Sequence, residues 1–169
     1  VLEIGTGPGR NLPFYDGAKL TSLQGLDPAT QMNAKARGRA DAAGLAVELI
    51  TLSAEAIPAP DARYDTVVCT FTLCTIPDPI AALHEMRRVL KPDGQLLFCE
   101  HGRAPEASVQ QWQDRLTPWW KPVAGGCPLN RDVPGLLRAG GFKAIEIEAQ
   151  YLKGPKPWVW VTQGVAVAA

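Results

Sequence analysis

The order of strand-like and helix-like segments along this chain constrains its fold more than any other feature of the sequence. Apolar runs rich in β-branched residues predict five strands, which cover residues 1–4, 20–26, 46–51, 64–69 and 95–99. Proline at a first helical turn and apolar side chains at helical spacing predict helices over residues 28–44 and 78–90. Strands that alternate with helices are typical of a mostly parallel sheet covered by helices.

The pattern changes in the last third of the chain. Residues 102–131 contain three of the five tryptophans and two adjacent glycines, and we interpret them as an insertion. A short helix over 132–139 and two strands over 142–148 and 158–167 are predicted to follow. The connection between these two strands is too short for a crossover helix, so the last pair should be antiparallel. The sequence thus predicts an α/β fold in a single domain over 1–169: a doubly wound seven-stranded sheet, mostly parallel, with an antiparallel final strand.

Composition and charge favour a folded domain that acts on small molecules over one that binds nucleic acid. Hydrophobic residues make up 46% of the chain and charged residues 20%, a balance that favours a folded globular domain over disorder. The chain carries 17 basic and 17 acidic residues, so no overall field attracts nucleic acid, and we expect no nucleic-acid partner. The four cysteines form no C-x-x-C pair. We therefore interpret them as reduced thiols and expect no metal site.

The sequence begins inside a predicted strand, at Val1, without an initiator methionine. We expect an N-terminal segment to be missing from it. No apolar run has the length of a membrane span, which favours a cytoplasmic protein, with membrane contact if the missing segment is an anchor. The sequence leaves the oligomeric state open.

A glycine-rich loop, G-T-G-P-G at residues 5–9, directly follows the first predicted strand. Glycine lets the backbone approach a ligand closely and adopt torsions that other residues avoid. The spacing differs from the dinucleotide fingerprint G-x-G-x-x-G, because the third glycine comes one residue early. This spacing favours a nucleoside ligand without a pyrophosphate over a nicotinamide dinucleotide.

Two carboxylates accompany the loop. Asp27 ends the second predicted strand, where an acidic side chain can accept hydrogen bonds from both ribose hydroxyls, although Asp27 before Pro28 is also a suitable helix cap. Glu3 lies in the first strand, where an unpaired carboxylate would be costly to bury. Glu3 either orders the N–H groups of the loop or meets a ligand ammonium group.

These motifs together resemble those of class I methyltransferases that depend on S-adenosylmethionine (SAM). V-L-E-I-G-T-G-P-G at 1–9 is similar to the family's first motif, and G-L-D-P at 25–28 to its second. The segments at 52–58, 64–68 and 88–94 resemble the adenine-side loop, the fourth strand and the turn before the fifth strand. The resemblance implies a Rossmann-like sheet, SAM as cofactor and S-adenosylhomocysteine as product.

The resemblance also implies where the cofactor lies. The loop glycines would face the methionine part, Asp27 would hold the ribose, Ala54 and Glu55 would border the adenine, and Thr70 would lie near the sulfonium. The residues assigned to the cofactor in this way are Glu3, Gly5, Thr6, Gly7, Gly9, Asn11, Asp27, Pro28, Ala54, Glu55 and Thr70.

A narrower resemblance concerns the acceptor of the methyl group. V-C-T-F-T-L-C at 68–74, Glu100-His101, the tryptophan-rich stretch 112–119 and G-C-P-L-N-R at 126–131 are similar to the membrane-associated thiol S-methyltransferases. They imply a small, mostly apolar thiol as acceptor. Phospholipid-amine and quinone methyltransferases share much of the first hundred residues and remain alternatives. A catalytically silent SAM-binding module is the alternative of another class, and an NAD-binding oxidoreductase is the least favoured interpretation.

A thiol reacts as its thiolate, whose unperturbed pKa is about 8.5, so a base would assist the reaction at neutral pH. His101 follows the fifth strand at the edge where ligands bind in such sheets, and it is the candidate base, with a structural loop histidine as the alternative. His84, inside a predicted helix, is interpreted as structural. The candidate substrate contacts on the insertion side and around the loop are Tyr15, Phe71, Trp112 and Arg131. The alternative for the tryptophans is that they fill a core, and the alternative for Arg131 is an ion pair with an acidic neighbour.

Overall fold

A computed structural model describes all residues, 1–169, and contains seven strands and five α-helices. The seven strands are β1 (Leu2–Ile4), β2 (Leu23–Leu26), β3 (Val47–Ile50), β4 (Tyr64–Thr70), β5 (Leu90–His101), β6 (Phe142–Tyr151) and β7 (Trp160–Ala168). The five helices are α1 (Asn33–Ala42), α2 (Pro79–Val89), α3 (Ala107–Trp120), α4 (Val133–Ala139) and α5 (Lys156–Val159). None of the helices combines the length and the apolar character that crossing a membrane requires.

The strands form one sheet in the order β3-β2-β1-β4-β5-β7-β6. The first five strands are mutually parallel, and β7 runs antiparallel to both of its neighbours, β5 and β6. The predicted seven-stranded, mostly parallel sheet with a reversed final strand is therefore confirmed. The strand order reverses direction between β1 and β4, and ligands of open α/β sheets bind at this switch point, beyond the carboxyl ends of the strands.

The main core lies between the sheet and helices α2 and α4. It contains 21 buried residues, among them Leu2, Val67, Leu96 and Phe142 of the strands. The helical spacing of Ile80, Leu83, Met86 and Leu90 predicted the buried face of α2, and Leu83, Met86 and Leu90 do lie in this core, together with Val89. The helix is capped by Asp78, whose carboxylate accepts the Ala81 N–H at 3.0 Å. Ile80 was expected on the same face, but it lies in the first turn of the helix and is 38% exposed.

The helix that follows Asp27 begins later than predicted. A short 3₁₀ turn spans Thr30–Met32, and α1 starts only at Asn33. The reason is the Asp27 side chain, which accepts the Ala29 N–H at 2.8 Å and so closes a turn at Pro28 instead of capping a helix there.

Two further segments differ from the sequence prediction. The predicted turn at 91–94 lies within β5, where the pairing with β4 jumps from Tyr64–Leu90 to Thr66–Gln95, so the extra residues form a bulge. The insertion at 102–131 contains the regular helix α3, of 14 residues, with Pro118 near its end. It places tryptophans beside the carboxyl end of β5.

Candidate active site

The glycine loop leaves the carboxyl end of β1, and its glycines have left-handed torsions, with φ of 68° at Gly5, 50° at Gly7 and 76° at Gly9. They meet different neighbours. A Cβ on Gly5 would lie 2.1 Å from Oγ1 of Thr72, and a Cβ on Gly9 would lie 3.0 Å from Cα of Ala36 in α1. Gly5 and Gly9 therefore permit close packing of the loop, whereas a Cβ on Gly7 would make only ordinary contacts.

Asp27 joins the loop to the end of β2. One carboxylate oxygen accepts the Gly7 N–H and the other accepts the Ala29 N–H, both at 2.8 Å. The carboxylate thus lies beside the glycine loop at the switch point, where the sequence placed it. Its capping alternative is realised only as the local turn at Ala29.

A cavity of about 150 Å³ opens between the loop and Asp27. We call it the β1–β2 cavity, and it is lined by Ile4, Gly5, Leu26, Asp27, Pro28, Ser53, Ala54, Thr72, Thr75, Ile76 and Pro77. Gly5, Asp27, Pro28 and Ala54 are thereby brought together. Glu55 does not line the cavity, because its carboxylate accepts the Asp78 N–H at 2.7 Å and the Ser53 hydroxyl at 2.6 Å.

Four other predicted site residues form a buried polar network beneath the loop. The Glu3 carboxylate, 2% exposed, accepts hydrogen bonds from the Asn11 amide and the Tyr15 hydroxyl, each at 3.1 Å. The Asn11 amide also donates to Thr70 Oγ1 at 2.7 Å. Burial raises the pKa of Glu3, against the lowering effect of the two hydrogen bonds, and burial followed by the Glu3 charge raises the pKa of Tyr15.

Of the two roles predicted for Glu3, the structure does not show the ordering of the loop N–H groups, and the contact with a ligand ammonium group stays a prediction. The N–H groups of Gly5 and Thr6 donate to the Leu26 carbonyl rather than to Glu3. Thr6 itself is buried, donates its hydroxyl to the Glu3 carbonyl at 3.3 Å, and packs against the α-carbon of Gly25. Thr6 and Tyr15 therefore support the loop and do not line the β1–β2 cavity.

A second, larger cavity of about 380 Å³ lies beyond the carboxyl ends of β4 and β5. We call it the aromatic cavity, and it is lined by Phe71, Cys74, Thr75, His101, Trp120, Ala124, Cys127, Leu129 and Trp158. The rings of Phe71 and His101 have their centroids 4.8 Å apart. Burial lowers the pKa of His101, which favours the neutral imidazole, the form that can accept a proton.

The turn at 71–75 separates the two cavities, and Thr75 lines both of them. Phe71 opens this turn with φ of 49°, a left-handed torsion that is uncommon for a bulky residue. Glu100, which is fully buried, accepts the N–H groups of Thr72 and Leu73, both at 2.9 Å. Burial raises the pKa of Glu100 to about 7, and its second oxygen has no hydrogen-bond partner.

Two predicted substrate contacts lie elsewhere. Trp112 is 56% exposed, with the Arg115 guanidinium 5.9 Å from its ring centroid, so it faces solvent on α3 and not the aromatic cavity. Arg131 forms no ion pair with an acidic neighbour and instead donates to the Cys74 carbonyl at 2.8 Å. His84 is exposed on α2, so the structural role predicted for it has no support in its burial.

The sequence analysis missed some of the residues that line the cavities. They are Ser53, Thr72, Thr75 and Ile76 around the β1–β2 cavity, and Ala124, Leu129 and Trp158 around the aromatic cavity. Leu129 stands inside the G-C-P-L-N-R segment, so that motif carried a usable signal. Trp158 comes to the site only because β7 pairs with β5 and brings the preceding helix α5 to the same edge.

Comparisons with known proteins agree with this architecture. A family model described as "Methyltransferase domain" matches residues 2–98. The chain is similar to thiol S-methyltransferase TMT1B of Rattus norvegicus, with 33% identity over 97% of this chain, and it spans 66% of the length of that relative, just under two thirds. It is also similar to a phosphatidylethanolamine N-methyltransferase of Cereibacter sphaeroides, with 33% identity over 66% of this chain and 56% of that protein.

Among solved structures, a SAM-dependent methyltransferase of Methanosarcina mazei superimposes with a TM-score of 0.76. The match covers 99% of this chain and 91% of that one at 20% identity, so it shows that the two chains share a fold. The family match covers β1 to β5 and includes the glycine loop and Asp27. The chain therefore belongs to the class I SAM-dependent methyltransferase family and resembles its thiol S-methyltransferase members.

Proposed function

We propose that this chain transfers a methyl group from SAM to a small, mostly apolar thiol. The observation that carries the proposal is the aromatic cavity, which lies one turn, residues 71–75, away from the β1–β2 cavity and has His101 in its wall. The similarity to TMT1B, which extends over 97% of this chain, supports a thiol acceptor.

The residues of the β1–β2 cavity fit the nucleoside part of SAM. Ile4, Leu26 and Ala54 provide apolar walls suited to a purine ring, and Asp27 provides carboxylate oxygens suited to ribose hydroxyls. Gly7 lies next to Asp27 and adds no side chain, so the backbone there can approach a ligand. Bound SAM would supply an electrophilic methyl group on a positively charged sulfur.

The residues of the aromatic cavity suit the acceptor. Seven of its nine lining residues are hydrophobic, so the cavity favours an apolar molecule. Phe71, Trp120 and Trp158 present aromatic surface, which also tolerates a nearby sulfonium through cation–π attraction. The chain's main contributions would be to orient the acceptor, worth roughly 7–11 kcal/mol in well-aligned systems, and to remove the thiol proton at His101.

The deciding experiment incubates purified protein with labelled SAM and separate acceptors, and detects methylated products by mass. Small alkyl and aryl thiols are compared with an amine, a phenol and a phospholipid. Product from thiols alone supports the proposal. Product from the phospholipid or another acceptor contradicts the thiol assignment but retains methyl transfer, and SAM binding without any product favours a silent binding module.

The phospholipid-amine alternative has one observation in its favour, the similarity to the Cereibacter sphaeroides enzyme. That similarity covers 66% of this chain, whereas the similarity to TMT1B covers 97%. Because the aromatic cavity is built from residues as far apart as Phe71 and Trp158, the more extensive match better supports the proposed acceptor.

We expect His101→Ala to lower kcat/KM for a thiol by about 100-fold at neutral pH, because general-base assistance contributes at least this much. SAM affinity should not change. The loss should shrink above about pH 9, where the free thiol ionises without assistance. The pH profile of kcat/KM provides the measurement. His84→Ala is the matched control, because His84 is exposed on α2 and outside the aromatic cavity. An equal loss at every pH would contradict a role as base.

We expect Trp120→Ala to raise KM for the thiol by about tenfold or more, because losing an aromatic contact that the bound thiol would cover costs about 1.5–3 kcal/mol of binding. Trp112→Ala is the matched control on the same helix, since Trp112 is 56% exposed and outside the cavity. Steady-state kinetics on both variants provide the measurement. Similar values of KM for the two variants would show that the acceptor binds elsewhere.

A further inference from the structure

Two thiols face each other across the wall of the aromatic cavity. Cys74 belongs to the turn at 71–75 and Cys127 to the loop after α3, and both line the cavity. Both side chains border the same space, and neither forms a disulfide in this structure. The hydrogen bond from Arg131 to the Cys74 carbonyl, at 2.8 Å, fastens the segment after Cys127 to the same turn.

The two thiols are chemically unequal. Cys74 is 2% exposed, and the hydrogen bond with Cys127, burial and the nearby Glu100 charge all raise its pKa, against the Arg131 guanidinium. Cys127 is half-buried, and the same hydrogen bond is the main cause that lowers its pKa. An accessible thiol with more thiolate character next to a buried partner is the arrangement in which one sulfur attacks and the other resolves.

The backbone before Cys127 consists of two glycines with open space around them. Gly125 and Gly126 precede it with φ of 62° and 93°. A Cβ on either glycine would meet no atom within 4 Å, so the space beside this loop is open, although the Gly126 N–H donates to the Lys121 carbonyl at 2.9 Å. The turn that carries Cys74 is, by contrast, held by Glu100.

We propose that Cys74 and Cys127 form a redox-active dithiol that reacts with small apolar disulfides inside the aromatic cavity. The thiolate of Cys127 attacks one sulfur of the disulfide, which breaks the S–S bond, releases one thiolate and leaves a mixed disulfide on Cys127. Cys74 then gives its proton to the released thiolate and attacks the Cys127 sulfur, which breaks the mixed disulfide and releases the second thiolate, and this thiolate takes a proton from water. The small disulfide is reduced to two thiols, and the protein is oxidised to a Cys74–Cys127 disulfide.

This reaction has a consequence that depends on the proposed function. A bridge between the turn at 71–75 and the loop at 127 draws two walls of the aromatic cavity together. The oxidised protein would then exclude the thiol acceptor while the β1–β2 cavity stays open, because neither cysteine lines it. An external thiol reductant would reopen the cavity.

Dimethyl disulfide is a suitable probe because it is small and apolar. The reduced protein is exposed to it, remaining free thiols are alkylated, and intact mass and peptide mapping follow. The wild-type protein should lose the mass of two hydrogen atoms and yield a peptide pair joined through Cys74 and Cys127. The Cys74→Ser variant should stop at the mixed disulfide on Cys127. The Cys127→Ser variant should react with dimethyl disulfide at least about tenfold more slowly than the wild-type protein.

Cys99→Ser is the matched control, because Cys99 is also half-buried but lies outside the aromatic cavity. It should behave like the wild-type protein. A wild-type protein that retains both thiols, or a Cys127→Ser variant that reacts at the wild-type rate, would overturn the proposal. These readouts require no methyl transfer, so they stand or fall independently of the acceptor screen.

Discussion

Replacement of Asp27 by alanine should weaken SAM binding by about 10²–10⁴-fold and leave the protein folded. A carboxylate that accepts two ribose hydroxyls makes two charge-assisted hydrogen bonds, each worth about 1.5–3 kcal/mol. The sum of these two contributions sets the expected loss. No other carboxylate lines the β1–β2 cavity, so no neighbour can replace Asp27.

The cost to folding should be much smaller than the cost to binding. In the structure Asp27 accepts only the N–H groups of Gly7 and Ala29, and a typical hydrogen bond contributes about 1 kcal/mol net to stability. Both N–H groups lie in partly exposed turns, where water can replace the carboxylate. The variant should therefore unfold cooperatively, at a slightly lower temperature than the wild-type protein.

Titration calorimetry with SAM measures the affinity, and thermal unfolding with and without excess SAM provides an independent measurement, since a ligand of the native state must stabilise it. Asp41→Ala is the matched control, because Asp41 is exposed on α1 and does not line the β1–β2 cavity. Wild-type SAM affinity in Asp27→Ala would show that the ribose is held by other groups.

The elements that the sequence predicted correctly are those specified by local chemistry. Asp78 followed by Pro79 begins α2 because an aspartate cap and a proline in the first turn both act within a few residues. The antiparallel final pair followed from the short connection between its strands. The predicted start of α1 was wrong because the Asp27 carboxylate accepts the N–H groups of both Ala29 and Gly7 instead of capping a helix. The contact with Gly7 comes from a distant part of the chain, so local sequence does not reveal it.

The candidate site was less predictable, because side-chain direction depends on packing. Trp119 and Trp120 are adjacent in α3, yet Trp119 is 81% exposed and Trp120 lines the aromatic cavity. Neighbours on a helix point about 100° apart, so a count of tryptophans cannot say which one faces a ligand. The sequence analysis therefore assigned Trp112 to the substrate, although Trp120 is the tryptophan of α3 that lines the aromatic cavity.

The same limit applies to strands. Glu100 and His101 are consecutive in β5, so their side chains leave opposite faces of the sheet. His101 reaches the aromatic cavity, whereas Glu100 is fully buried beneath the turn at 71–75. The sequence motif contains both residues but does not distinguish the ligand-facing one from the buried one. Only the register of β5 against β4 and β7 decides this.

Glu100→Gln should remove a pH-dependent change of about 3 kcal/mol in the free energy of unfolding. Burial raises the pKa of Glu100 from 4.5 to about 7 in the folded protein, and each unit of difference corresponds to about 1.4 kcal/mol. A carboxyl with a raised pKa stabilises the fold fully below its unfolded pKa, where it is protonated in both states. That contribution is lost as the pH rises from about 4.5 through about 7, because the unfolded chain ionises first.

Glutamine retains the carbonyl oxygen that accepts the Thr72 and Leu73 N–H groups, but it does not ionise. The variant should therefore be close to the wild-type protein in stability near pH 4.5 and more stable above about pH 8. Glu100→Ala should instead be destabilised at every pH, by about 2–4 kcal/mol, because it leaves two buried N–H groups without an acceptor. The contrast separates the charge of Glu100 from its role as an acceptor.

Denaturant unfolding of the wild-type and variant proteins across this pH range provides the measurement, because all other titrating groups cancel in the difference. Glu146→Gln is the matched control, since Glu146 is exposed on β6 and its replacement should leave the pH dependence unchanged. Parallel curves for wild type and Glu100→Gln would mean that the Glu100 pKa is not raised by folding. If the curves diverge as expected, the turn between the two cavities is held by a carboxyl group that titrates near neutral pH, and its acceptor oxygen, rather than its charge, maintains the turn.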